Sequence, residues 1–300
     1  MSAAVVAGAE RRELMDAGSS PPADELPGQP GWTGRARSAG RWLGYAVGQA
    51  LLLAGLFMAY RYGRQLAIGH ESVAFEHARD VWNLQQALGL PSEEAVQRLA
   101  LRSTTLVELA NRFYMYVHFP ATVVFLAWVL LRHRDHWARV RNALIVLTGA
   151  ALVLHLTYPL APPRFLPRLL PGVDIVDTGQ LIGPSPYPSE GGSLNQYAAM
   201  PSLHVGWAIF EAWAVVMILR SRARWAALAQ PVVTTLVVVL TGNHYWLDGI
   251  VGGALVAAAV WVTAPGRVGQ LRARLTGLPS SELAVPETVR PPGGTVRSRR

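Results

Sequence analysis

The chain has 300 residues, of which 51% are apolar and only 15% charged. That leaves it short of the solvated surface of a soluble globule, where about 25% of residues are charged, and the absence of cysteine excludes disulfides, thiolate catalysis and cysteine-ligated metals. The net charge of +8 comes from arginines in the tails and in short breaks between apolar runs, which is how a membrane protein displays charge and argues against a nucleic-acid partner.

Residues 1–40 are polar and rich in Ala, Gly, Pro and Ser, with no apolar core after Met1, so they read as a disordered cytoplasmic tail and not as a signal peptide. Residues 42–60, between Arg41 and Arg61, form the first long apolar run. A bilayer core needs about 20 helical residues, so this run predicts a first transmembrane helix that serves as signal anchor. Residues 61–112 are mixed, and Pro91-Ser92-Glu93-Glu94 places acids in the first turn of a helix. The pattern predicts two amphipathic surface helices, over 72–89 and 92–108.

Five further apolar runs follow, at 113–131, 142–160, 203–219, 225–242 and 247–264. The segment 161–202, full of Pro and Gly and without helical period, predicts a long loop over the end of the bundle. Residues 266–300 form a second disordered, basic tail. The expected fold is therefore all-α: a polytopic membrane protein whose domain, 41–265, is a six-transmembrane-helix bundle with amphipathic surface helices.

Arginine placement orients the bundle. With the amino terminus inside, the inner side holds Arg35, Arg37, Arg41, the group Arg132 to Arg141, the group Arg220 to Arg224, and Arg267. The outer side holds few arginines, and acids dilute them, which satisfies the positive-inside rule. Both termini are then cytoplasmic, in a multi-pass protein of the cell membrane. His118, His155, Arg164, His204, His244 and Asp248 all fall toward the outer side. Ionisable groups in a membrane are costly and mark function, so their gathering at one depth predicts an extracytoplasmic site.

Two stretches carry the sharpest chemistry: Ala199-Met200-Pro201-Ser202-Leu203-His204 and Asn243-His244-Tyr245-Trp246-Leu247-Asp248. His244 and Asp248 are four residues apart and share a helix face. A carboxylate there holds one imidazole nitrogen and leaves the other free to react. The plainer reading is a capping pair. Ser202 fits a helix N-cap, and a helix start also offers N–H groups to an anion, so Ser202 and the Leu203 amide are candidate phosphate-binding groups with His204 beside them. Arg164 follows a stiff Pro-Pro pair, and a guanidinium suits phosphate oxygens. His118, His155 and Glu211 read more simply as polar residues satisfied between helices.

With Asn111-Arg112-Phe113-Tyr114 and His118, Ala161-Pro162-Pro163-Arg164, and the run from Tyr197 to His204, these motifs resemble the type 2 phosphatidic acid phosphatase (PAP2) superfamily, and within it the branch of inositol phosphorylceramide synthases and inositolphosphotransferases. The resemblance covers roughly residues 108–262. It implies metal-independent, cofactor-free phosphoryl transfer through a phosphohistidine. His244 would be the nucleophile, Asp248 its orienting partner, His204 the acid for the leaving oxygen and Arg164 a phosphate ligand. Three positions depart from the family pattern: Thr157 stands where it has a lysine, Leu203 where it has glycine and Val238 where it has an arginine. Arg112 is a candidate to compensate for the missing charge.

The residues support the same chemistry on their own terms. An oriented imidazole can attack phosphorus, a second can serve as general acid, and an arginine can stabilise the equatorial oxygens. The expected function is a membrane phosphatase or phosphotransferase acting on a lipid phosphate. The alternatives are an inositolphosphotransferase-type headgroup transferase with an alcohol acceptor, and a non-enzymatic lipid transporter or binding protein. A metal hydrolase using His204, His244 and Asp248 as ligands is a further rival, whereas a serine hydrolase lacks its Gly-x-Ser-x-Gly elbow.

Overall fold

The apolar runs fold into helices in a computed structural model that describes residues 32–65, 71–185 and 196–267. Ten α-helices stand among the described residues: α1 (Trp32–Gln65), α2 (Glu71–Ala87), α3 (Glu93–Ala100), α4 (Thr104–Arg112), α5 (His118–Arg132), α6 (Arg134–Thr157), α7 (Thr178–Leu181), α8 (Leu203–Ile218), α9 (Ala229–Leu240) and α10 (Trp246–Val262). The chain is all-α; its one described β-bridge joins Leu160 to Ala198.

Four helical stretches are long and apolar enough to cross a membrane: Ala39–Gln65, Thr104–Arg132, Arg134–Thr157 and Arg222–Leu240. The apolar helices α8 and α10 have 16 and 17 residues, short of the about 20 that cross a bilayer core upright. Of the two tails expected to be disordered, residues 1–31 and 268–300 lie outside the described residues. Residues 32–40 are helical and belong to α1, which corrects the boundary read from composition.

The chain divides into two units, residues 1–53 and 54–300. What is described of the first is the opening of α1, where Leu43 and Leu51 are exposed, as on a helix surrounded by lipid. The second unit carries the other helices.

Three helix boundaries differ from the expected ones. The amphipathic helix expected over 92–108 is broken at 101–103, because Ser103 caps a new helix by accepting the Leu106 N–H. That new helix, α4, continues through a π-turn, Phe113–Val117, straight into α5. Pro120 has no N–H for the Tyr116 carbonyl, and the wider turn accommodates the register change just before it. The break expected over 132–141 shrinks to His133, since Trp137 and Val140 bury an additional helical face of α6.

Packing in the second unit brings α8 against α6, α9 and α10. The approach of α8 to α10 is close because two glycines face each other. A Cβ on Gly252 would lie 2.7 Å from the Ser202 carbonyl oxygen and 3.6 Å from the Gly206 Cα. The long loop is held by buried polar side chains. Gln97 donates to the carbonyls of Val176 (3.0 Å) and Leu240 (3.1 Å) and accepts the Val176 N–H (2.8 Å). Asn111 donates to the Thr178 carbonyl and accepts the Thr178 hydroxyl. Phe165, Leu166 and Ile175 of the loop pack with Ala74, Ala78 and Val81 of α2 and with Tyr245.

Candidate functional site

The start of α10 is built from residues distant in sequence. The Trp246 N–H is accepted by the Glu93 carboxylate (3.3 Å) and the Leu247 N–H by the Gln85 side chain (3.1 Å). Asp248 accepts the Tyr245 N–H (2.9 Å), closing a capping box. The free donors of this helix end are thereby consumed by protein groups. Burial among these apolar neighbours raises the Glu93 carboxyl above its ordinary value.

His244 sits just before this helix. Its Nδ1 lies 2.8 Å from the Ala199 carbonyl and 3.1 Å from Asp248 Oδ2. Both neighbours are acceptors, so Nδ1 carries the hydrogen and donates it, and the lone pair is left on Nε2. Ala199 is fixed in turn, because its N–H bonds the Leu160 carbonyl at 3.1 Å. Asp248 is fully buried, and its second oxygen, Oδ1, has no hydrogen-bond partner among the described residues.

Ser202 caps α8, accepting the Val205 N–H on its hydroxyl (3.4 Å), and its own N–H bonds the Asp248 carbonyl (3.0 Å). That last bond ties the two motifs together at the glycine contact. The N–H groups of Leu203 and His204 have no acceptor among the described residues and are the open donors of this helix start. The His204 ring stacks on Tyr114 at 4.3 Å between centroids, with His118 at 4.8 Å and His244 at 5.9 Å.

These groups face a cavity of about 170 Å³ lined by His118, His155, His204, His244, Tyr60 and Leu203, among others. That is room for a phosphoryl group and the atoms attached to it. His155 is engaged, with Nδ1 at 3.3 Å from the Tyr60 hydroxyl and Nε2 at 3.1 Å from the Pro201 carbonyl. His118 is 4% exposed, and neither of its ring nitrogens has a hydrogen-bond partner among the described residues.

Arg164 contacts Asn243, the residue before His244, and is not among the residues that line the cavity. Its Nη1 donates to Asn243 Oδ1 at 2.6 Å, Nη2 to Gln196 Oε1 at 3.3 Å, and Nε faces Asp177 Oδ2 at 3.2 Å. Its backbone N–H bonds the Gly242 carbonyl, and Gly242 needs its positive φ of 70° and its lack of a side chain there. The other residues weighed from the sequence lie elsewhere. Arg112 is exposed and paired with Glu108 (2.7 Å), Thr157 is exposed, and Val238 is buried in an apolar cluster. Glu211 accepts from Thr122 and Gln230 and does not line the cavity. Among the described residues no three His, Cys, Asp or Glu side chains converge to hold a metal.

Several participants were not singled out from the sequence. Gln85, Glu93 and Gln97 are polar positions of amphipathic helices, and only their burial marks them. Asp177 lies in a loop without periodicity. Arg64, beyond the end of the first apolar run, sits over the ring (5.8 Å) of Tyr60, which lines the cavity.

Compared with known proteins, residues 79–262, more than half of the chain, match the family described as the PAP2 superfamily. The match is to the superfamily and assigns no inositol phosphorylceramide synthase branch. No curated protein and no solved structure matches the chain.

Proposed function

The chain belongs to the PAP2 superfamily, and from that premise we propose that it is an integral-membrane phosphatase or phosphotransferase that acts on a lipid phosphate through a phosphohistidine on His244. Membership implies lipid phosphate chemistry, and the mechanism is our reading of the site. One observation carries it: His244 Nδ1 is held by Ala199 and Asp248, so its Nε2 lone pair is free in a cavity shared with the His204 ring.

In the first step His244 Nε2 attacks phosphorus and the bond to the leaving oxygen breaks. His204, as imidazolium, gives that oxygen its proton. The positive charge that develops on the His244 ring is stabilised by Asp248. In the second step His204, now neutral, takes a proton from the acceptor hydroxyl. The acceptor oxygen then attacks phosphorus, the P–N bond breaks, and His244 is restored. The open N–H groups of Leu203 and His204 serve the non-bridging oxygens, while Ser202 caps the helix that presents them. Arg164 contributes positive charge from behind and fixes Asn243, the residue before the nucleophile.

Water as acceptor gives a phosphatase. An alcohol gives the inositolphosphotransferase-type reaction, and the acceptor assay below separates the two. We place six spans in the membrane, with α8 and α10 as the shorter two, both termini cytoplasmic and the cavity toward the outer side. The arginine distribution supports this orientation. A cavity of this size has room for the phosphate headgroup.

The test is phosphate release from a panel of lipid phosphates by detergent-purified protein in EDTA, beside His244→Ala. Release by the wild type and none by the variant supports the reading. Equal release by both refutes the nucleophile. Release that EDTA abolishes points to the metal hydrolase. If the wild type releases nothing, the assay is repeated with alcohol acceptors while lipid products are followed. Product there assigns a strict transferase, and its absence leaves a lipid transporter or binding protein.

A further inference from the structure

His118 is more than a packing residue of the cavity. It lies where the π-turn passes into α5, and it is almost wholly buried. Buried imidazoles in proteins are ordinarily hydrogen-bonded, and an exception calls for an explanation. His155, at the same cavity, follows the rule through Tyr60 and the Pro201 carbonyl. His118 breaks it at both ring nitrogens among the described residues.

The cavity's lining contains no Arg or Lys. Of its four imidazoles, His155 is consumed by protein partners, and His244 has spent Nδ1 and keeps Nε2 for attack. His204 is assigned to the proton of the leaving and entering oxygens. A phosphoryl group seated between them presents three non-bridging oxygens with several lone pairs, more than the two open N–H groups of Leu203 and His204 can satisfy. His118 lines the same cavity with its ring 4.8 Å from that of His204. It is the remaining lining imidazole, and a neutral imidazole always carries one N–H.

Resting on the reading of the site as a phosphoryl-transfer centre, we infer that His118 is a substrate-binding residue whose ring N–H donates to a non-bridging phosphoryl oxygen, supplying a contact that no lining arginine or lysine makes. The ligand class is a tetrahedral phosphate oxyanion, free or esterified.

The experiment measures binding of orthovanadate and inorganic phosphate by the detergent-purified full chain, by calorimetry and by thermal shift, for wild type, His118→Ala and His118→Asn. Turnover of the lipid phosphate panel is followed in parallel. His118→Ala is expected to bind the oxyanions about tenfold more weakly or worse, since one hydrogen bond to a charged group is lost. His118→Asn, which keeps an N–H donor, recovers part of that loss. The anion-free melting temperature of His118→Asn stays close to the wild type because the ring makes no hydrogen bond to a described protein group, while His118→Ala also loses the ring's packing beside His204 and Trp207. Should the alanine variant melt early, the comparison of asparagine with wild type decides.

Oxyanion affinity within twofold of the wild type in His118→Ala overturns the assignment. So does His118→Asn binding no better than alanine, or a wild type that binds neither anion. An alanine variant that binds the anions normally but loses only alcohol-acceptor turnover also overturns it, by placing His118 at the acceptor. Oxyanion binding that depends on His118, in a protein that turns over no phosphate ester, upholds the donor role while the proposed reaction fails. Normal turnover with oxyanion binding indifferent to His118 does the reverse.

Discussion

Adding one methyl group at Gly252 tests whether the α8–α10 contact sets the catalytic geometry. The new Cβ would lie 2.7 Å from the Ser202 carbonyl oxygen and 3.4 Å from the Gly206 N, both backbone atoms that no rotamer change can move. Relief requires the two helices to part by several tenths of an ångström. That displacement falls on the Ser202 N–H bond to the Asp248 carbonyl, now 3.0 Å, and so on the spacing of His204 and His244, now 5.9 Å between rings. Overpacking costs about 1–3 kcal/mol, and the gain in helix propensity from Gly to Ala returns about 1 kcal/mol. The net loss of stability is therefore small, about 0–2 kcal/mol. Misplacing reacting groups by about 1 Å costs on the order of a hundredfold in rate. Gly252→Ala is expected to lose roughly ten- to a hundredfold in kcat/KM for phosphate release while its melting temperature moves by only a few degrees. The neighbouring Gly253→Ala is the control. Its Cβ meets only the flexible end of Ile209 at 3.3 Å, so activity should hold and stability should not fall. Gly252→Ala activity within twofold of the wild type would refute the reasoning.

Asp248→Asn preserves shape but presents an amide to His244 Nδ1; kcat is expected to fall by about a thousandfold or more, the scale of losing a tautomer-setting carboxylate, with the melting temperature unchanged or higher because no buried charge remains. Arg164→Lys cannot reach Asn243, Gln196 and Asp177 at once, so turnover should drop about tenfold or more, and an unaltered kcat/KM would show that the three-way fork positions nothing that matters. Glu93→Gln reads the buried carboxyl at the α10 start. Because burial raises its folded value above the ordinary 4.5, folding holds the proton more tightly than the unfolded chain does, and wild-type stability declines as pH rises from there through the folded value. The variant, which does not titrate, should therefore gain on the wild type in melting temperature as pH rises above about 4.5; a gap that stays constant would mean that Glu93 folds without a shifted proton.

What the sequence disclosed and what it withheld divide along a physical line. Features set within a few residues were legible: the His244–Asp248 pair one helical turn apart, Ser202 as the cap of α8, and the apolar runs as helices. Charge placement grouped His118, His155, Arg164, His204, His244 and Asp248; the four histidines line one cavity, whereas Arg164 and Asp248 do not line it. The features withheld depend on which helix faces which. Gly206 and Gly252 acquire meaning only as a crossing point, and Asp177 only when its loop folds back on Arg164. The helix boundaries missed at 101–103 and 134 turned on a local cap and on buried faces of α6, neither of which an average over an apolar window detects.

The anchors at the start of α10 impose an order in time. Trp246 N–H meets Glu93 across 153 residues of sequence, and Leu247 N–H meets Gln85 across 162. A ribosome delivers the acceptors first and the donors long afterwards. A nascent chain that has emitted α2 to α9 already holds His118 and His204 but has neither His244 nor the completed cap. On the proposed mechanism, His244 arrives just ahead of α10 and is oriented in the same event that docks that helix, so activity is expected to appear only once α10 has closed onto α2 and α3.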